Sequence, residues 1–109
     1  MIWAIVKFSI EGIHYWKDAF EEVKWLSFPH RHIFCFEVSI SQDHTDRDVE
    51  FILFKRWLKS LYSEPCDFGS KSCEMIAKEL LDKIKTKYPD RKVRVAVSED
   101  NENGAIVEE

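Results

Sequence analysis

From His32 to Ile40 the chain alternates without a break, with His32, Phe34, Phe36, Val38 and Ile40 on one side and Ile33, Cys35, Glu37 and Ser39 on the other. Only an extended backbone sends residues i and i+2 to the same side, so the segment is a strand that must bury one apolar face. A second such run, Ile2 to Ile10, places Ile2, Ala4, Val6, Phe8 and Ile10 opposite Trp3, Ile5, Lys7 and Ser9. Both of its faces are partly apolar. Lys92 to Glu99 alternates through Val93, Val95 and Val97, and Ala105 to Val107 follows the turn Asp100 to Gly104 as a short closing strand.

Between the second and third strands the period changes. Phe51, Phe54, Leu58 and Leu61 recur every three or four residues and predict a helix, with Asp46 as its N-cap. Cys73, Ile76, Ala77, Leu80 and Ile84 form a second helical stripe, stopped by Tyr88-Pro89-Asp90. The segment Ser63 to Ser70, with Pro65 and Gly69, reads as a loop. Glu11 to Pro29 reads as a long connection with a helical turn near Asp18 to Lys24. The order strand, strand, helix, helix, strand, strand predicts an α+β domain: a four-stranded antiparallel sheet with two helices inserted between strands 2 and 3.

At 109 residues the chain is one domain, because separate cores take roughly 100–200 residues each. Sixteen Lys and Arg against twenty Asp and Glu give a net charge of −4, without the basic excess that binds a phosphate backbone, so nucleic acid is not an expected partner. No apolar run reaches the ~18–20 residues that span a bilayer, and Lys7 interrupts the opening run too early for a signal peptide. Cys35, Cys66 and Cys73 are odd in number and contain no Cys-x-x-Cys, which fits free thiols in a reducing, cytoplasmic setting. Aromatic residues make up 14% of the chain. Two helices cover only one face of a four-stranded sheet, so part of this load is expected to meet other copies of the chain.

The chemistry-bearing feature is Pro29-His30-Arg31-His32 at the entrance of the second strand. Period two points both histidines to one side, where two imidazoles can share a zinc ion. His14 follows the first strand and ends near His30 if the first two strands pair as a hairpin. Three neutral imidazoles with one open position is the arrangement of a catalytic zinc. On spacing alone, His-x-His reads more readily as incidental surface polarity than as a metal site.

Further residues complete a pattern. An upstream His comes just after a first strand that ends in Phe8-Ser9, a helix opens with Ser72-Cys73-Glu74-Met75-Ile76-Ala77, and a strand ends Val97-Ser98-Glu99 ahead of Gly104-Ala105. Together with His30-Arg31-His32 this resembles, over nearly the whole chain, the 6-pyruvoyl-tetrahydropterin synthase family, which includes the 6-carboxytetrahydropterin synthases of the queuosine pathway. It looks like a compact, phage-type branch, with His-Arg-His in place of the usual His-Gly-His. The resemblance implies the tunnelling fold, or T-fold, a homohexamer built as a dimer of trimers, and a pterin-like small molecule as ligand.

It further implies that His14, His30 and His32 bind Zn²⁺ and that Glu99 anchors the pterin through its 2-amino group and N3–H. Ser72 and Glu74 match the family's Thr-x-Glu that helps hold the ligand; read by themselves they are a helix cap and a first-turn acid. Two family features are absent. The catalytic Cys four residues before the first His of the pair is Leu26 here, and no Asp-His dipeptide lies between Leu61 and Ser72. Three residues could replace them. Cys73 sits at a helix N-terminus that favours the thiolate, although it also lies on the apolar stripe. Asp67 lies in the short loop, and His44 lies in a charged turn. The implied activity is that of a carbon–oxygen lyase on a dihydroneopterin triphosphate-like substrate. The alternative is a non-catalytic zinc-containing pterin or purine binder.

Overall fold

In a computed structural model describing residues 1–109, the strands of period two form one sheet and the two helical stripes pack on one side of it. β1 (Ile2–His14) pairs antiparallel with β2 (His30–Gln42) over their whole length, from Ile2 opposite Gln42 to His14 opposite His30. β4 (Val93–Glu99) pairs with β2 on its other side, and β5 (Asn103–Glu108) pairs with β4. Helices α1 (Phe51–Ser60) and α2 (Cys73–Lys87) lie between β2 and β4 in sequence, as expected.

The sheet has a fifth strand. β3 (Cys66–Gly69) runs parallel to β1, pairing Gly12 with Cys66 and Ile13 with Asp67, so the order is β3-β1-β2-β4-β5 and the sheet is mixed. Four residues bounded by Pro65 and Gly69 are too few to display a period, and their partner lies more than fifty residues upstream. Asp67 is therefore a strand residue, and its Oδ1 accepts from the Gly69 N–H at 2.8 Å. Sequence alternation also underestimates β1, which continues past Ile10 through Gly12 to His14. A Cβ on Gly12 would lie 2.5 Å from Phe68 and 2.9 Å from Phe34, so the bare backbone there lets β3 dock its phenylalanine against β2.

The core lies between the sheet and the helices. Phe34, Phe36, Val38 and Ile40 from β2, Val6, Phe8 and Ile10 from β1, and Val93, Val95 and Val97 from β4 all face it. α2 supplies Cys73, Ile76, Ala77, Leu80, Leu81 and Ile84, the predicted stripe with one addition. Burying each larger aliphatic side chain contributes about 1.5–3 kcal/mol relative to leaving it exposed. Ser72 caps α2 by accepting from the Met75 N–H at 3.2 Å. α1 starts later than its expected cap, because Asp46 belongs to a turn in which Arg47 takes a positive φ of 55°. Its cap is Glu50, which accepts from the Leu53 N–H at 2.8 Å. The face away from the helices carries Trp3, Ile5, Ile13 and Ile106, all exposed.

At the Gln42 end of the sheet, Asp48 ties the β2–α1 connection to the α2–β4 turn. It accepts from both terminal nitrogens of Arg91 and from the Asp43 N–H at 2.6 Å, and Arg91 also donates to the Ser41 carbonyl at 3.1 Å. The guanidinium, then the Asp43 N–H, holds the Asp48 carboxyl at about 2. A carboxylate depressed on folding stabilises the protein above its unfolded value near 4, and that stabilisation is lost as pH falls toward about 2. Asp48→Asn is accordingly expected to lower the melting temperature at pH 7 and to flatten its fall between about pH 4 and pH 2, as read by thermal melts across that range. His44 belongs to this corner, with its Nε2 3.7 Å from Asp48. The twelve-residue rise of β1 and β2 places it about 40 Å from His30.

Candidate metal centre and ligand cleft

Three strands change character at the same end of the core face. On β1 the inward series runs Phe8, Ile10, Gly12, His14; on β2, reading back, Phe36, Phe34, His32, His30; and on β4, Val95, Val97, Glu99. Pairing of Phe34 with Glu99 and of His14 with His30 puts the polar ends of these series side by side. The same period that builds the core thus delivers three imidazoles and a carboxylate to its rim.

The ligand atoms of His14, His30 and His32 lie within 4.8 Å of one another. Each ring is held by its Nδ1. His14 Nδ1 donates to the Lys71 carbonyl at 2.8 Å, His30 Nδ1 to the Phe28 carbonyl at 2.8 Å, and His32 Nδ1 to the Asp100 carboxylate at 2.7 Å. With Nδ1–H committed, Nε2 is the lone-pair nitrogen in all three rings. The Nε2 atoms of His14 and His32 are buried without a hydrogen-bond partner. Glu99 Oε2 stands 2.9 Å from the first and 3.7 Å from the second, off the direction of a hydrogen bond. Burial, before any other cause, pushes the His14 pKa below its ordinary value, which favours the neutral ring that binds a cation. Buried acceptor nitrogens with no donor are costly unless something occupies the space between them. A zinc ion fits this donor set: three neutral imidazoles, each with its second nitrogen anchored.

A cleft of about 540 Å³ opens beside the triad. His14, Leu26, Cys73, Glu74 and Glu99 line it, with Trp16 along one side. A 3₁₀ segment over Glu21–Ser27 carries Leu26 to the wall, and the connection is stitched back by the Trp16 N–H donating to the Leu26 carbonyl at 2.7 Å. Ser72, Cys73 and Glu74 arrive with the first turn of α2.

The expected thiolate at Cys73 is not what this environment produces. Burial, then the carboxylates of Glu99 and Glu74, pushes the thiol up to about 12, so it is protonated at neutral pH. The helix N-terminus favours the anion, but desolvation outweighs it when the sulfur is packed into the core. Asp67 and His44 do not reach the cleft.

Asp100 went unnoticed in the sequence because it reads as an ordinary turn residue. Asp100 and Asn101 take φ of 54° and 60°, and the Glu102 N–H donates to the Glu99 carbonyl at 2.9 Å, closing a tight hairpin turn of the kind that favours Asp and Asn. That Asp-Asn pair just past a strand ending in Glu99 was the available signal.

With this geometry in place, the solved structures can be compared. A Plasmodium vivax 6-pyruvoyltetrahydropterin synthase with a catalytic glutamate replaced by alanine superposes with a TM-score of 0.72, covering 99% of this chain and 97% of that one at 14% identity. The variant with cysteine at the same position gives 0.67 at 14% identity, with 99% and 97% covered. The parent Plasmodium enzyme gives 0.65 at 14% identity, with 100% and 99% covered. The chain has the 6-pyruvoyltetrahydropterin synthase fold. No protein-family model and no curated protein sequence matches it. The superposition extends over the whole mixed five-stranded sheet and both helices, since it covers 99% of the chain. It does not single out the phage-type branch.

Proposed function

We propose that this chain is a zinc-dependent pterin enzyme of the 6-pyruvoyl/6-carboxytetrahydropterin synthase type, a carbon–oxygen lyase for a dihydroneopterin triphosphate-like substrate. The observation that carries the reading is the convergence of three Nε2 atoms whose Nδ1 partners are already satisfied. Bound zinc supplies Lewis acidity toward a hydroxyl or carbonyl oxygen of the substrate side chain. His14, His30 and His32 hold the ion. Glu99 accepts from the paired N–H donors of the pterin edge, and Ser72 and Glu74 steady the ligand at the start of α2. Cys73, the cysteine that lines the cleft at the start of α2, is the residue offered for proton transfer. The cleft lies within the roughly 300–1,000 Å³ typical of small-molecule sites.

The working form in this reading is a cytoplasmic homohexamer, a dimer of trimers. Exposed Trp3, Ile5 and Ile106 on the open sheet face, and Phe20, Trp25 and Phe28 in the β1–β2 connection, give subunits apolar surface to share. A second reading, a zinc-containing binder that does not turn its ligand over, is favoured by one observation. Leu26 lines the cleft where the resembled family keeps its thiol, and no low-pKa thiol replaces it.

Metal analysis and incubation with dihydroneopterin triphosphate decide between them. The expected result is one zinc per chain and conversion of the side chain, with turnover reduced in Cys73→Ala. Binding with the side chain left intact establishes the binder, and protein without zinc sinks both. Glu99→Gln is expected to weaken pterin binding about 10–100-fold with zinc content unchanged, since hydrogen bonds to a charged group contribute about 1.5–3 kcal/mol. Loss of zinc in that variant would instead make Glu99 a metal ligand.

A further inference from the structure

The outer shell of the triad is asymmetric. His14 and His30 are oriented by backbone carbonyls, those of Lys71 and Phe28, which no substitution can remove. His32 alone is oriented by a side chain, and that side chain is charged. Asp100 spans two donors of β2: Oδ2 accepts from His32 Nδ1 at 2.7 Å and Oδ1 from the Ile33 N–H at 2.9 Å. Its own N–H donates to the Ile33 carbonyl at 2.8 Å. Asp100 is thus fixed at three points, two on its carboxylate and one on its backbone, and its position is dictated by the β4–β5 turn.

We infer that Asp100 is a positioning residue of the metal centre. It fixes His32 as the Nδ1–H tautomer with Nε2 free and aimed at the other two histidines. The inference rests on the metal-binding reading above and adds to it the one outer-shell contact open to selection. The β4–β5 hairpin then does two jobs with consecutive residues, because Glu99 faces the cleft and Asp100 faces the back of a ligand.

Two substitutions separate this role from that of a turn former. Glycine and asparagine both accept a φ of 54°, so Asp100→Gly and Asp100→Asn keep the turn. They differ at His32. Glycine leaves Nδ1–H to water. Asparagine offers one acceptor where two donors converge, so its amide N–H₂ drives His32 toward the Nε2–H tautomer, whose Nε2 cannot ligate a metal.

Zinc affinity measured by competition with a chromophoric chelator is therefore expected to fall in the order wild type, Asp100→Gly, Asp100→Asn, with a total loss of about 10–100-fold. Long-range ¹H–¹⁵N spectra of the metal-free proteins should show His32 protonated on Nδ1 in the wild type and shifted toward Nε2–H in Asp100→Asn. Thermal midpoints without metal should stay close to wild type. Equal zinc affinity in all three proteins overturns the inference and leaves the metal site standing. A wild type that binds no zinc overturns the site and the inference together.

Discussion

His30→Ala is expected to lower zinc affinity by two or more orders of magnitude while leaving the metal-free protein as stable as before. Of the three histidines His30 is the one that can be removed most cleanly. It opens β2 at the rim of the sheet, and its anchoring bond is to the Phe28 carbonyl only two residues away. His14 is buried against Phe34, with ring centroids 5.0 Å apart, so its removal would disturb the core as well as the site. Zinc held by four protein ligands is bound with an apparent 10–16 kcal/mol, which puts a single ligand at about 2.5–4 kcal/mol and its loss at about two to three decades of affinity. The paired measurement is a thermal melt with and without chelator. A ligand at a hundred times its dissociation constant adds about 2.7 kcal/mol of stability, so the wild type should melt lower when zinc is stripped. The His30→Ala protein should show a much smaller chelator-dependent change at the same free zinc, about 0.4 kcal/mol or less, and an equal change in both would remove His30 from the site.

That experiment also tests how far the sequence alone reached. His30 and His32 share a side because strand geometry has a period of two, and His14 meets them because two long alternating runs pair from end to end. Glu99 continues the inward register of Val93, Val95 and Val97, but by periodicity alone it reads as a strand-end surface acid and only the family resemblance singles it out. What stayed hidden depended on distant partners. β3 is four residues whose strand character exists only against β1. Asp100 meets His32 across 68 residues of sequence, and nothing local separates it from any other turn aspartate. Cys73 shows two local signals in conflict, a helix N-terminus and a place on the apolar stripe, and their balance is set by packing that only the folded chain reveals. The α1 cap moved from Asp46 to Glu50 for a similar reason, because Asp48 is drawn to Arg91 at the far end of α2 and the intervening residues are spent on that connection.

Phe36→Ala is expected to be the most damaging single change to the fold. Phe36 is 2% exposed at the centre of the most regular strand, and its ring lies parallel to that of Phe8 on β1, with centroids 4.7 Å apart and planes within 3°. Tyr62, which follows α1, covers the pair at 5.3 Å from Phe36. The ring therefore joins two strands and the α1 end of the helical layer, and no neighbour can move into the space it leaves without breaking the sheet register that holds Phe8 in place. Truncating a buried phenylalanine costs about 3–5 kcal/mol, against a total of about 5–15 kcal/mol for a domain of this kind. The melting temperature should fall by about 12–40 °C, given about 4–8 °C per kcal/mol at this size. Phe36→Leu keeps most of the volume and loses the stacking, so it should recover more than half of that fall. If alanine and leucine melt alike, the stacked contact with Phe8, and not the filled volume, is what Phe36 contributes. The strand whose alternation most constrains the sequence would then be held by one aromatic pair more than by its apolar face as a whole.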